Sequence, residues 1–259
     1  MVGKLKSVGI IGARDVIRSL RTPMLVTMSL VQPIIWLVLF SQIFRNLADT
    51  FQFRRLGYSS YLTFLVPGMI VLSMLFTALQ SGMATITDID TGMMDKFLIS
   101  PNRRSGILLG RMAADAVLMV LQGAIIFGVA FLMGARTKTG WAGAVLMLGF
   151  AVLFGLVWAS VSNLIALRTK NSEMTMVAGL LLTLPALFLS PAFFPKTLQP
   201  GWLQAVAKAN PAAYVIQTGQ QLMNFGNNWG QDLRTLAVIA GVGLVLITAT
   251  VASFRASAR

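Results

Sequence analysis

Long apolar stretches recur along this chain, separated by short polar segments in which the basic residues collect. A bilayer core about 30 Å thick is crossed by about 20 apolar residues at a helical rise of about 1.5 Å each. Six runs reach that scale: 24–44, 61–85, 106–134, 142–167, 174–190 and 233–254. The pattern predicts an all-α integral membrane protein, one transmembrane domain over residues 1–259 with six transmembrane helices.

Three segments between or before these runs have patterns of their own. Within 7–21, Ile10, Ala13, Ile17 and Leu20 recur at three- and four-residue steps, with Arg14, Arg18 and Arg21 on a neighbouring stripe. This predicts an N-terminal amphipathic helix lying on the membrane surface, with a solvated basic tail as the alternative. Thr22-Pro23 then turns the chain into the first run.

The second is TDIDTGMMDKFLISPNRRSG, Thr87 to Gly106, which holds three of the chain's eight acidic residues. Asp88 and Asp90 suit a helix N-terminus, where unpaired N–H groups and aligned peptide dipoles favour negative charge. Met93, Met94, Phe97 and Leu98 then share one face, Asp95 and Lys96 fall on the other, and Ser100-Pro101 ends the helix. A Met- and Phe-faced helix over 88–101 needs something to cover it, and methionine suits an adaptable socket for a partner. An interfacial helix packed on lipid headgroups is the alternative.

The third, 191–223, is semi-polar and broken by Pro191, Pro195, Pro200 and Pro211, the last two opening short helical patterns. Irregular backbone at membrane depth must be buried in protein or line a cavity, so two short re-entrant helices here would shape an outer gate. Its candidate residues are Phe193, Phe194, Pro195 and Pro211; a plain external loop fits the composition too.

Loop charge orients the whole. One side carries Lys4, Lys6, Arg14, Arg18, Arg21, Lys96, Arg103, Arg104, Arg111, Arg168, Lys170, Arg255 and Arg259, and the other is poorer despite Arg54 and Arg55. Retention of Lys and Arg in the cytoplasm therefore predicts that both termini are cytoplasmic.

Composition narrows the chemistry. The 259 residues are 56% hydrophobic and 11% charged, with a formal charge of +13 but no cysteine and no histidine. Disulfides, thiolate metal sites and the commonest general base are thereby excluded, and no catalytic residue or metal site is proposed. A nucleic-acid binder would gather its basic residues on a soluble face; here they punctuate apolar runs.

Polar groups inside the runs are the candidates for a transport path. Met69, Ser73, Phe76 and Gln80 form one helical stripe, Gln32 and Trp36 share a face of the first run, and Thr183 and Leu187 lie in the fifth. The same residues serve equally as glue between helices. Asp115, inside the third run, has Arg111 one turn earlier as a partner.

The order of basic surface helix, two runs, an acidic D-x-D-x-G loop ending in Ser-Pro and four further runs resembles ABC-2 type transporter permeases, the daunorubicin-resistance branch above all. The matching stretches are FLVPGM at Phe64–Met69, DIDTGMMDKFLISP at Asp88–Pro101, ILLGR at Ile107–Arg111, and SPAFFP through NPAAY after the fifth run. Ile89 stands where the family's loop often has a basic residue.

The resemblance implies a half-transporter in a bacterial cytoplasmic membrane, in which two permeases, identical or paralogous, meet and two cytoplasmic ABC ATPase subunits grip their coupling helices. Asp88, Asp90, Gly92, Met93, Met94, Asp95, Lys96, Phe97, Leu98 and Pro101 would form that grip. It also implies export of an amphipathic drug or lipid, with ATP and magnesium on the partner subunit. No G-x-x-x-x-G-K-[ST] loop occurs in the chain, so no cofactor is expected on it. The competing readings are a proton-driven secondary transporter, on the strength of Asp115, and a lipid-modifying membrane enzyme that uses Asp88, Asp90 and Asp95 as a metal cluster.

Overall fold

A computed structural model describes residues 23–46, 55–91 and 104–256, and every regular element among them is helical. In chain order these are α1 (Pro23–Ile43), α2 (Tyr61–Asp90), α3 (Arg104–Leu132), α4 (Gly140–Thr169), α5 (Ser172–Phe188), a 3₁₀ turn (Lys196–Leu198), α6 (Gly201–Ala207), α7 (Pro211–Asn224) and α8 (Trp229–Ala256). The predicted surface helix over 7–21, with Arg14, Arg18 and Arg21, lies outside the described residues, as does 92–103.

Four helices are long and apolar enough to cross a bilayer: Tyr61–Asp90, Gly110–Leu132, Gly140–Thr169 and Trp229–Thr250. Two shorter apolar helices accompany them, Ser29–Ile43 and Ser172–Phe188. These six coincide with the six apolar runs. The largest departure is α2, which runs on past 85 to Asp90.

The reason α2 sits at the centre is its composition. A helix that is apolar on every side must be covered on every side, and α2 is buried almost throughout, from Tyr61 and Phe64 to Leu79 and Ile86. Helices α1, α3, α4, α5 and α7 supply the cover. Its start is fixed by Ser60, in extended conformation, whose side chain accepts a hydrogen bond from the Thr63 amide at 3.1 Å.

Helix α4 is the principal neighbour of α2, and small residues set their spacing. A Cβ on Gly82 would lie 2.7 Å from the Ser162 carbonyl oxygen and 2.8 Å from its carbonyl carbon. Glycine is therefore required for this approach, as is usual where helix backbones meet in a membrane. Between α4 and α5, Lys170 adopts a left-handed conformation (φ 48°) and its amide closes on the Ala166 carbonyl. Asn171 then caps α5 by accepting from the Met174 amide at 2.9 Å.

The proline-rich stretch after α5 packs onto the α2–α4 pair. Helix α7 begins with Pro211 in its first turn, behind Asn210, which accepts from the Ala212 amide at 3.0 Å. Its Gln220 side chain donates to the Pro191 carbonyl at 2.8 Å, and Tyr61 donates to the Phe193 carbonyl at 3.0 Å. The 190–225 segment thus closes over the N-terminal end of α2.

Substituting Gly82→Val should lower the thermal stability of the purified protein by about 1–3 kcal/mol through overpacking against the Ser162 backbone. Gly128→Val, on an exposed face with nothing within 4 Å, should leave the melting temperature nearly unchanged.

Candidate functional site

A groove of about 290 Å³ opens between α1 and α2, lined by Ser29, Val31, Gln32, Ile35, Trp36, Phe76 and Gln80. The lining arises from helical repetition: Gln32 and Trp36 are four apart on α1, and Phe76 and Gln80 are four apart on α2. Four of the eight sequence candidates for a transport path are brought together here. Two amides and two aromatic rings face one cavity, a lining that can bind a molecule with both apolar and hydrogen-bonding parts.

The other four candidates are not in the groove. Met69 and Ser73 are fully buried, because α2 opens to the groove only at Phe76 and Gln80. Thr183 is buried and accepts a hydrogen bond from the Trp158 indole at 3.0 Å, and Leu187 is buried in the core. For these, helix packing is the role the structure supports.

Gln122 of α3, which the sequence reading did not single out, anchors the groove floor. Its amide nitrogen donates to Ser29 at 2.7 Å, and its oxygen faces the hydroxyls of Thr77 at 2.5 Å and Ser73 at 3.3 Å. One buried amide thus ties α1 to α2 through α3. The only trace in the sequence is a lone glutamine in an otherwise apolar run, LMVLQGAII.

Above the groove, Trp36 leads into a cluster of aromatic rings. It lies 5.8 Å from Phe193 and 6.3 Å from Phe188, while Phe40 lies 5.4 Å from Phe193 and Phe44 lies 5.7 Å from Phe194. Such edge and tilted contacts are favourable beyond the area they bury. Phe193 and Pro195 are buried, Phe194 is exposed, and Pro211 is half-buried at the start of α7. The predicted gate residues Phe193 and Phe194 therefore cap α1, and Trp36 belongs to both the groove and the cap.

At the opposite end of α2 the structure corrects the expected role of the acids. Asp88 and Asp90 close the last turn of α2 and do not open a helix. Carboxylates are disfavoured at a helix C-terminus by the dipole, and Asp88 is offset by Arg111 of α3, whose guanidinium lies 3.1 Å away. Thr85 and Asp88 are buried in the last turns of α2 and are satisfied by neighbouring helices, whereas Thr87 and Asp90 are exposed. Asp115 accepts from Ser81 at 2.6 Å, Asn163 donates to Ser81 at 3.1 Å, and Thr85 donates to Asn163. Arg111, expected as the partner of Asp115, reaches across to Asp88, while Ser81 bonds Asp115. Gly92, Met93, Met94, Asp95, Lys96, Phe97, Leu98 and Pro101 lie outside the described residues.

An all-helical bundle with bilayer-length apolar helices and a half-polar groove between two of them is the architecture of an integral membrane protein. The ABC-2 type transporter family pattern matches residues 6–224, and the chain belongs to that family. It is 25% identical to the daunorubicin resistance ABC transporter permease protein DrrB1 of Streptomyces coeruleorubidus, over 86% of this chain and 77% of that one. It is 28% identical to the putative transport permease ycf38 of Cyanophora paradoxa, over 87% and 82% of the two chains. A probable doxorubicin resistance ABC transporter permease protein, DrrC of Mycobacterium tuberculosis, is 23% identical over 73% and 66%.

Arg111→Gln should destabilise the protein by about 3 kcal/mol or more, since it strands a largely buried carboxylate. Asp88→Asn combined with Arg111→Gln should recover part of that loss. Denaturation of the two single variants and the double variant closes the cycle; additive losses would show that the pair is not coupled.

Proposed function

We propose that this chain is the permease subunit of an ATP-binding cassette exporter that moves an amphipathic small molecule, drug or lipid out across the bacterial cytoplasmic membrane. ATP and magnesium would be held by a separate cytoplasmic ATPase, two copies of which serve two permeases. The observation that carries this reading is α2 itself. One unbroken helix of 30 residues carries Phe76 and Gln80 in the groove and Asp88 and Asp90 at its far end.

At about 1.5 Å per residue, the groove residues lie on the order of 15 Å along a rigid rod from Asp90. In this reading all six apolar helices span the bilayer, both termini are cytoplasmic, and 88–101 presents the coupling surface. The last turn of α2 replaces the expected first turn of the coupling helix. Closure of the ATPases on that surface displaces α2, together with the α3 and α4 side chains bonded to it, relative to α1. The groove between α1 and α2 changes width, and the Trp36–Phe193 contact above it, with the short re-entrant helices of 191–223, acts as the outer gate. The relatives named for daunorubicin and doxorubicin resistance support a substrate with an aromatic body and polar edges, which suits Trp36, Phe76, Gln32 and Gln80.

The first test is co-purification of the membrane-expressed chain with its neighbouring gene products, in wild type and in Asp90→Lys combined with Phe97→Glu. A nucleotide-binding subunit should accompany the wild type and be lost from the variant. Failure of any ATPase to accompany wild type in mild detergent or nanodiscs would overturn the proposal. With the complex in hand, Trp36→Ala and Gln80→Ala should each raise the substrate concentration for half-maximal ATPase stimulation by about fivefold to tenfold while leaving basal hydrolysis intact. Unchanged stimulation would place the path elsewhere.

A further inference from the structure

A second cavity lies at the end of the bundle that carries the Phe193 cap, away from the groove and from the Asp88–Arg111 pair. It has a volume of about 420 Å³, and its polar lining is Lys196, Lys208, Tyr214, Gln217, Gln231 and Arg234, above a floor that includes Ala207 and Thr235. No carboxylate lines it, and none of its three cations is in a salt bridge among the described residues. Three cations on the wall of one cavity favour an anion there; the acid of the same helix turn, Asp232, is buried outside the lining and neither of its oxygens is hydrogen-bonded.

The cleft is built and not a chance meeting of long side chains. The Arg234 guanidinium sits 5.3 Å from the centre of the Tyr214 ring, a cation–π contact that fixes it over α7. Tyr214 donates its hydroxyl to the Lys208 carbonyl at 2.7 Å, tying the end of α6 to α7. Beneath, Thr218 and Thr235 are hydrogen-bonded at 2.7 Å between α7 and α8, both buried. Gln217 and Gln231 add amide donors, so charge and hydrogen bonds converge on one space.

The surroundings identify the anion. Trp202 on α6 and Trp229 at the start of α8 are 64% and 71% exposed, on the two helices that contribute Ala207 and Arg234. Exposed tryptophans mark the boundary between hydrocarbon and water, which places the cleft at the level of lipid headgroups. We infer that this cleft binds the phosphate of a net-anionic phospholipid headgroup in the leaflet opposite the ATPase side. A zwitterionic headgroup is disfavoured, because its ammonium group would find no carboxylate in the lining. The leaflet assignment rests on the topology proposed above; the binding itself does not.

The test uses the purified full-length chain, with phosphatidylglycerol, phosphatidylcholine and inorganic phosphate as probes and retention read by native mass spectrometry. Wild type should retain phosphatidylglycerol in preference to phosphatidylcholine. Lys208→Gln combined with Arg234→Gln should weaken phosphatidylglycerol binding on the order of tenfold and leave phosphatidylcholine unchanged. Should the double variant melt early, Lys208→Gln alone serves, since Lys208 is exposed and holds Tyr214 through its backbone. Undiminished preference for phosphatidylglycerol in a stably folded variant would overturn the site. Displacement of the lipid by millimolar inorganic phosphate would reassign it to a free oxyanion. Since the readout involves no ATPase, its failure is separate from failure of the transporter reading.

Discussion

A helix enclosed by other helices has no water to answer its polar side chains, so each must find a partner on whichever neighbour it meets. Helix α2 meets that requirement at successive turns. Tyr61 reaches the Phe193 carbonyl, Ser73 and Thr77 reach Gln122, Ser81 reaches Asp115, Thr85 reaches Asn163, and Asp88 reaches Arg111. Three of these partners lie on α3, one on α4 and one in the segment after α5. The consequence is a block in which α2, α3 and α4 are joined along their length by bonds that a sliding motion would have to break together.

Helix α1 stands differently toward this block. Its main contacts are with α2 and α3, and the side-chain hydrogen bond that the described residues show between it and them runs from Gln122 to Ser29. Much of its remaining surface is exposed, including Val31, Ile35, Val38, Leu39 and Ile43. A cavity at the seam between a bonded block and a lightly attached helix lies where relative motion is least costly. That the groove residues and the cap share Trp36 means the same movement alters both.

Most of the architecture was legible in the hydrophobic pattern, because a bilayer sets the length of a run and leaves little else that a run can be. The helices begin and end within about five residues of the runs. What periodicity could not supply was the identity of the neighbour. The stripe Met69, Ser73, Phe76 and Gln80 shares a helix face, but only its lower half meets the open side of α1 while its upper half is sealed. Gln122 escaped notice for the converse reason, since a solitary amide in an apolar run looks the same whether it anchors a network or is merely tolerated. Asp88 and Asp90 suit the start of a new helix by charge alone, because a helix N-terminus favours carboxylates. Pairing with Arg111 and the bonds among Ser81, Thr85, Asn163 and Asp115 let the old helix continue instead.

The Asp88–Arg111 pair joins the end of α2 to the beginning of α3, on either side of the loop that links them. The partners are 23 residues apart, and Lys96, Arg103 and Arg104 lie between them in the chain, so it is the packing of α3 on α2, and not nearness in sequence, that selects Arg111. The pair therefore forms only when α2 and α3 stand side by side. A change in the linking loop that shifted α3 against α2 would part the two charges, so the contact at the base of the hairpin constrains the length of the loop above it.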